Sequence, residues 1–118
     1  MSTTEDDFRN RAAEWAERQP RVRRLWMFGS RAKGNPRPDS DLDIAVEIEP
    51  VPDSEETLPY WITCSERWRS ELQRKTEYPV DLDWFDPDGS TQQVAQGLRE
   101  GSILLYDRAM ERPEAPAA

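Results

Sequence analysis

The sequence predicts an α/β (α+β) fold in which a small mixed β-sheet is covered by helices. Helix-like and strand-like hydrophobic periods alternate along the chain in the order α-β-β-α-β-α-β. No internal repeat interrupts this order, and 118 residues suffice for one modest core. We therefore expect one domain over residues 1–108 and a flexible Pro/Ala-rich tail over residues 109–118.

Three segments have the periodicity of amphipathic helices. The first follows the polar start Ser2–Thr4 and ends before Pro20, and the third ends at Glu100. The second helix is expected from about Thr57 to Lys75. Its predicted inward stripe comprises Leu58, Trp61, Ser65, Trp68 and Leu72. The N-cap of the third helix is expected from Asp88, Ser90 or Thr91.

Four short segments have the composition or the alternation of β-strands. They are "VRRLWMF" (22–28), "DLDIAVEI" (41–48), "VDLDWF" (80–85) and "SILLY" (102–106). The first ends in four consecutive apolar residues, which is typical of a strand in the middle of a sheet. The second and third place aspartates on one face and aliphatic side chains on the other.

The composition excludes several classes of function. The net charge is −8, from 24 acidic and 16 basic residues, which argues against direct nucleic-acid binding. The chain has no histidine, so histidine-ligated zinc and Ser-His-Asp triads are excluded, and metal chemistry must use carboxylates. With one cysteine, no signal peptide and no bilayer-length apolar run, we expect a cytoplasmic protein that does not contact membranes.

Two aspartates enter the second predicted strand on the same face. Asp41 and Asp43 are two residues apart, so their carboxylates project together, roughly 6–7 Å apart along the strand. Such a pair suits one or two Mg²⁺ ions whose other ligands are water and phosphate oxygens. Asp81 or Asp83 of the third predicted strand offers a third carboxylate.

A solvated acidic face on an edge strand is the simpler explanation of an Asp-x-Asp pair. The preceding turn favours a functional site instead. A strand that runs directly into Gly29 and Ser30 presents backbone N–H groups and a hydroxyl to a phosphate, and Arg31 and Lys33 add positive charge. We therefore predict a combined site for metal and nucleotide. Asp39 is interpreted as a turn residue.

The stretch "GSRAKGNPRPDSDLDIAV" (29–46) resembles the Gly-Ser and Asp-x-Asp signature of the nucleotidyltransferase superfamily that includes DNA polymerase beta. "VDL" (80–82) resembles the strand with that family's third aspartate, and "REGSILLYD" (99–107) resembles its closing segment. The short chain is similar to the minimal nucleotidyltransferases (MNT) that are paired with HEPN proteins in prokaryotic toxin–antitoxin systems.

The resemblance implies roles for individual residues. Gly29 and Ser30 would hold the triphosphate of ATP, with Arg31 as a further phosphate contact and Ser40 bracing the loop beside the nucleotide. The expected Mg²⁺ ligands and catalytic carboxylates are Asp41, Asp43 and Asp81. The family pattern has an apolar residue where this chain has Asp83, so the third carboxylate lies between Asp81 and Asp83, with Asp81 preferred.

The function implied is Mg²⁺-dependent transfer of AMP from ATP to a hydroxyl, with a tyrosine of a HEPN toxin as the expected acceptor. The chain would thus act as an antitoxin bound to its partner protein. One alternative is an antitoxin that blocks its partner by occlusion without catalysis. The other is a nucleotidyltransferase for a small molecule of the aminoglycoside type, which would require a further helical domain.

Overall fold

The computed structural model describes residues 4–29, 41–49, 57–87 and 91–109. Within these ranges, helices and strands alternate in the predicted order. The elements are α1 (Thr4–Glu17), β1 (Val22–Phe28), β2 (Leu42–Ile48), α2 (Thr57–Thr76), β3 (Val80–Trp84), α3 (Gln92–Glu100) and β4 (Ser102–Asp107). The tail beyond residue 109 lies outside the described residues, so its flexibility stays a prediction.

The four strands form one mixed sheet in the order β3-β2-β1-β4. Strand β1 pairs antiparallel with both β2 and β4, whereas β2 and β3 are parallel. The central position of β1 confirms the prediction made from its four consecutive apolar residues. The α+β fold class is likewise confirmed.

The hydrophobic core lies between one face of the sheet and the two helices α1 and α2. Strand β2 contributes its aliphatic face, and α1 and α2 contribute aromatic and small side chains. The largest fully buried side chains are Trp68, Phe8, Leu25, Met27, Leu42, Ile44, Leu72, Val22 and Val46. The Trp15 ring packs edge-on against Trp68 at 5.6 Å and thereby joins α1 to α2.

The predicted inward stripe of α2 is partly wrong. Cys64, Trp68, Leu72 and Thr76 are buried, whereas Leu58 is 50% exposed. These buried residues follow strict i, i+4 spacing, so the buried line passes through Cys64 rather than Ser65. Leu58 in the first turn is exposed, whereas Tyr60 of the same turn and the predicted Trp61 pack against the core. Pro59 lies in that first turn, as expected, where no intrahelical N–H bond is lost.

Among the described residues, the opposite face of the sheet is covered in part, by α3 and by its own large side chains. The Trp26 ring reaches across Ala45 and packs edge-on against Phe85, with ring centroids 5.3 Å apart. Helix α3 contacts β1 and β4 on the other side. One end of this face, described below, keeps its polar side chains accessible to solvent.

The N-cap of α3 is one of the three predicted residues, while the other two candidates, Asp88 and Ser90, lie outside the described residues. Thr91 occupies the N-cap position but makes no side-chain capping bond. Its Oγ1 instead accepts a hydrogen bond of 2.8 Å from the backbone N–H of Asp86. This bond ties the start of α3 to the chain that leaves β3. No helix in the described part of the chain is both long enough and apolar enough to cross a bilayer.

Candidate active site

The site forms at one end of the sheet, where three chain segments meet. Strand β1 ends at Phe28, beside the start of β2, because the two strands are antiparallel and Phe28 pairs with Asp43. Strand β3 runs parallel to β2 and places Asp81 directly opposite Asp43. The register thus brings the end of β1 and the first residues of β2 and β3 to the same end of the sheet.

Asp43 and Asp81 lie side by side on the face opposite the core. Their Cα atoms are paired across adjacent strands, a spacing of roughly 4.8 Å, and paired residues point to the same face. Asp41 immediately precedes β2 and is exposed. The backbone N–H of Leu42 donates a 2.8 Å hydrogen bond to the carbonyl of Pro79, which fixes the start of β2 to the start of β3.

Gly29 begins the turn after β1 in direct contact with Asp43. Its φ of +77° lies in the left-handed region that favours glycine. A Cβ at this position would overlap Oδ2 of Asp43 and lie 3.0 Å from its Cγ. The absence of a side chain at position 29 therefore lets the turn close against the carboxylate.

The carboxylate cluster is electrostatically unfavourable without a cation. The pKa of Asp43 is raised from 3.8 to about 6, most of all by burial and then by the neighbouring charges of Asp81, Asp41 and Asp83 in that order. Half-buried carboxylates held this close favour a bound cation, since it removes both the desolvation cost and the mutual repulsion.

Asp81 and Asp83 differ in their surroundings. Asp81 is exposed and is paired with Asp43, whereas Asp83 is half-buried and is paired with Ala45. Burial, with a smaller contribution from Asp81, raises the pKa of Asp83. The strand register therefore places Asp81 nearer to Asp43 than Asp83 is, and the role of Asp81 as the third carboxylate stays a prediction.

The carboxylates of the cluster suit Mg²⁺, an ion that takes only a few of its ligands from protein side chains. Within the described segments, no group of three or more acidic or cysteine side chains is arranged to hold a metal ion by itself. Mg²⁺ is commonly bound by one or two carboxylates, with water and substrate phosphates completing its shell. The Asp43–Asp81 pair, with Asp41 beside it, meets this requirement, and the assignment of all three as ligands stays a prediction.

Four of the residues assigned by sequence pattern are brought to one place: Gly29, Asp41, Asp43 and Asp81. The other predicted phosphate contacts and loop residues, namely Ser30, Arg31, Lys33, Asp39 and Ser40, lie outside the described residues. The edge-strand explanation of the Asp-x-Asp pair is wrong for Asp43, because β2 is an interior strand with neighbours on both sides. Solvent exposure at the edge of a sheet therefore does not explain the carboxylate of Asp43.

Sequence reasoning missed the part played by α3. The helix passes so close to β1 that a Cβ at Gly97 would lie 3.1 Å from the ring of Phe28, the cross-strand partner of Asp43. A glycine within a helix was the available signal, since glycine there costs about 1 kcal/mol relative to alanine and is often kept for close packing. Helix α3 thus packs against Phe28, next to the strand position of Asp43.

Comparison with known families identifies the class. The family model described as "Polymerase beta, Nucleotidyltransferase" matches residues 10–111. The match covers most of the chain, so the protein belongs to the polymerase beta nucleotidyltransferase family. No curated protein sequence matches the chain.

Solved structures with the same fold include several toxin–antitoxin complexes. A toxin–antitoxin structure with AMP-PNP is 20% identical with a TM-score of 0.60, covering 84% of this chain and 73% of the other. A mutant of the toxin–antitoxin MntA–HpeT is 18% identical with a TM-score of 0.59, over 84% and 73%. A tri-AMPylated Shewanella oneidensis HEPN toxin in complex with its MNT antitoxin is 16% identical with a TM-score of 0.56, over 94% and 78%. At these identities the likeness shows a shared fold.

Proposed function

We propose that the chain is a minimal nucleotidyltransferase that transfers AMP from ATP to a hydroxyl group of a HEPN-type toxin and thereby acts as its antitoxin. The observation that carries the proposal is the pairing of Asp43 with Asp81 beside the Gly29 turn. Family membership supports nucleotidyl transfer as the type of reaction. The AMP-PNP and AMPylated-toxin complexes with the same fold support ATP as donor and a toxin as acceptor.

The residues would act on the two ends of the reaction. Asp41, Asp43 and Asp81 would hold one or two Mg²⁺ ions, which supply charge neutralisation at the transferred phosphate. The turn at Gly29 would receive the phosphate chain through backbone N–H groups. Asp81, which is exposed beside Asp43, would accept the proton of the attacking hydroxyl. Attack of the hydroxyl oxygen on the α-phosphate forms the new ester bond, and pyrophosphate leaves.

A non-catalytic antitoxin is the second candidate. It requires no metal ion, and within the described residues no three-carboxylate group is arranged to hold one by itself. Occlusion of the partner would need only a complementary surface. Against it stands the cluster itself, because repelling carboxylates on an interior strand lower stability and have no structural benefit.

A transfer assay separates the two candidates. The protein is incubated with α-³²P-labelled ATP, Mg²⁺ and the product of the neighbouring gene, and the label on each protein is measured. We expect label on the partner with wild type and none with Asp43→Asn, while Asp7→Asn, an equal charge change on the exposed face of α1, behaves as wild type. Unlabelled partner that both wild type and Asp43→Asn still neutralise would leave occlusion as the function.

A further inference from the structure

A cavity of about 400 Å³ lies between the end of β3 and helix α3. Its lining comprises Phe85, Asp86, Pro87, Gln92, Ala95, Gln96 and Arg99. The hydrogen bond from Asp86 N–H to Thr91 Oγ1 holds its two sides together. A hydrogen bond thus joins the two sides of the cavity, and its lining is partly apolar and partly polar.

Phe85, one of the lining residues, lies on the same sheet face as the carboxylate cluster, whereas Gln92, Gln96 and Arg99 line the cavity from the exposed side of α3. Asp81, Asp83 and Phe85 alternate along β3 and therefore point to the same face. The backbone N–H of Phe85 donates a 2.9 Å hydrogen bond to the carbonyl of Val46, so this residue continues the ladder of β3. Phe85 lies about 7 Å beyond Asp83 and about 13 Å beyond Asp81 along the strand. A bound metal ion, the α-phosphate and the ribose would together have to span this distance for the base to reach Phe85.

The lining suits a flat, uncharged heterocycle. The Phe85 ring is fixed by its edge-on contact with Trp26, while Pro87 and Ala95 add further apolar surface. Nucleobases stack on aromatic rings of this kind, a contact worth about 1–3 kcal/mol. Side-chain amides read adenine well, because a glutamine pairs with its donor and acceptor edge in bidentate fashion.

The charges of the lining argue against the phosphate chain as occupant. The carboxylate of Asp86 and the guanidinium of Arg99 both line the cavity, so it has no net positive charge to attract a triphosphate. Gln96 already donates a 3.1 Å hydrogen bond from Nε2 to Oε2 of Glu100. Gln92, exposed in the first turn of α3, is therefore the amide better placed to meet an incoming base.

We propose that this cavity is the base pocket of the site, in which Phe85 stacks on the adenine of ATP and Gln92 recognises its edge. The proposal rests on the proposed function, because it takes the phosphates to lie at the Asp43–Asp81 pair. It adds a determinant of base selectivity that family membership does not specify.

Photo-crosslinking locates the base directly. Wild type is irradiated with 8-azido-ATP and Mg²⁺, digested, and the labelled peptides are identified by mass spectrometry. We expect label in the peptides that contain Phe85–Pro87 or Gln92–Arg99, with competition by unmodified ATP. Competable label confined to other segments would overturn the base pocket and leave the proposed function standing. A complete lack of Mg²⁺-dependent label would overturn both.

A matched pair of variants tests recognition of the base edge. Gln92→Ala and Gln93→Ala remove the same side chain at adjacent exposed positions of α3, but only Gln92 lines the cavity. We expect Gln92→Ala to reduce the preference for ATP over GTP, measured as the ratio of dissociation constants, by roughly tenfold. Gln93→Ala keeps the wild-type ratio. Equal ratios in all three proteins, each with wild-type thermal unfolding, would contradict the assignment.

Discussion

Asp43 and Asp81 occupy paired positions on two adjacent parallel strands, β2 and β3, at the end of the sheet where β1 turns at Gly29. Asp83, two residues further along β3, is paired with Ala45 instead. Parallel register therefore distinguishes two aspartates that the sequence pattern alone leaves as alternatives for the third carboxylate.

Substitution of the two β3 aspartates separates their roles. Removal of groups that only support metal ligands costs about 10–100-fold in affinity or activity, so loss of a ligand itself costs at least that much. We expect Asp81→Asn to lower the AMP-transfer rate by about 100-fold or more, and Asp83→Asn to lower it much less. Single-turnover rates with labelled ATP measure both. A larger loss for Asp83→Asn would reverse the assignment.

The contact between Gly29 and Asp43 predicts a steric effect. Gly29→Ala places a Cβ at a positive φ and in the space of Asp43 Oδ2, so we expect a loss of about 1–2 kcal/mol of stability together with reduced transfer activity. Urea unfolding and the transfer assay measure the two effects.

Gly97→Ala is the matched glycine control. Its Cβ would lie 3.1 Å from the Phe28 ring, but the substitution favours the helix by about 1 kcal/mol. We therefore expect a smaller net change in stability than for Gly29→Ala. Wild-type activity and stability in Gly29→Ala would show that the turn tolerates a side chain and that the contact is unimportant.

The raised pKa of Asp43 predicts how the stability of the metal-free protein depends on pH. Its value of about 6 exceeds the ordinary 3.8, so the folded chain binds this proton more tightly than the unfolded chain between those values. The contribution of Asp43 to the free energy of unfolding therefore falls as the pH rises from 3.8 to about 6. We expect Asp43→Asn to unfold at a higher temperature than wild type at pH 7.5, with the difference narrowing toward pH 4.

Thermal unfolding in EDTA across this range measures the pH effect. Asp7→Asn should follow the wild-type curve, since it makes the same charge change on the exposed face of α1. If Asp43→Asn were less stable than wild type at pH 7.5, the Asp43 carboxylate would stabilise the fold. This would contradict the prediction that burial and repulsion from neighbouring carboxylates make it unfavourable.

The ion pair between Glu47 and Arg24, on the sheet face that also has Asp43, predicts a second effect on stability. Glu47 is buried and accepts a hydrogen bond of 3.3 Å from Arg24 Nη1, while Arg23 lies at 3.9 Å. Arg24 also contacts Asp107 at 3.3 Å. Burial raises the pKa of Glu47 although both arginines oppose the shift. A β-bulge between Val22 and Arg24 accounts for two consecutive arginines reaching one glutamate.

We expect Arg24→Met to cost about 2 kcal/mol, below the 3–5 kcal/mol of a fully buried pair, because Arg24 is partly exposed. The loss should shrink on acidification, since protonation of Glu47 removes its unpaired charge. Arg23→Met is the control and should cost less, because its contact is longer. Urea unfolding at pH 7.5 and pH 5 measures these costs, and equal losses in the two variants would refute the account.

The fold was predictable because local periodicity agrees with tertiary packing in most elements. The alternation in "DLDIAVEI" and the apolar end of β1 each have one interpretation, and the structure confirms both. The exposure of Leu58 in α2 was not predictable, because this apolar residue has the helical spacing expected of a buried stripe yet is 50% exposed. An apolar residue at helical spacing does not reveal whether a surface faces it.

The candidate site was predictable where it depends on strand spacing and not where it depends on pairing. The shared face of Asp41 and Asp43 follows from i, i+2 geometry. The register that sets Asp81 rather than Asp83 beside Asp43, and the approach of α3 to Phe28, depend on contacts between distant segments. The local sequence does not encode either of these.

Binding of nucleotide in the presence and absence of Mg²⁺ tests most directly whether the Asp43–Asp81 pair is a metal–nucleotide site. Titration calorimetry with a non-hydrolysable ATP analogue is performed on wild type, Asp43→Asn and the control Asp7→Asn, with Mg²⁺ or with EDTA. The account predicts Mg²⁺-dependent binding that Asp43→Asn loses and Asp7→Asn retains. Equal affinities with Mg²⁺ and EDTA, or unchanged binding in Asp43→Asn, would contradict it.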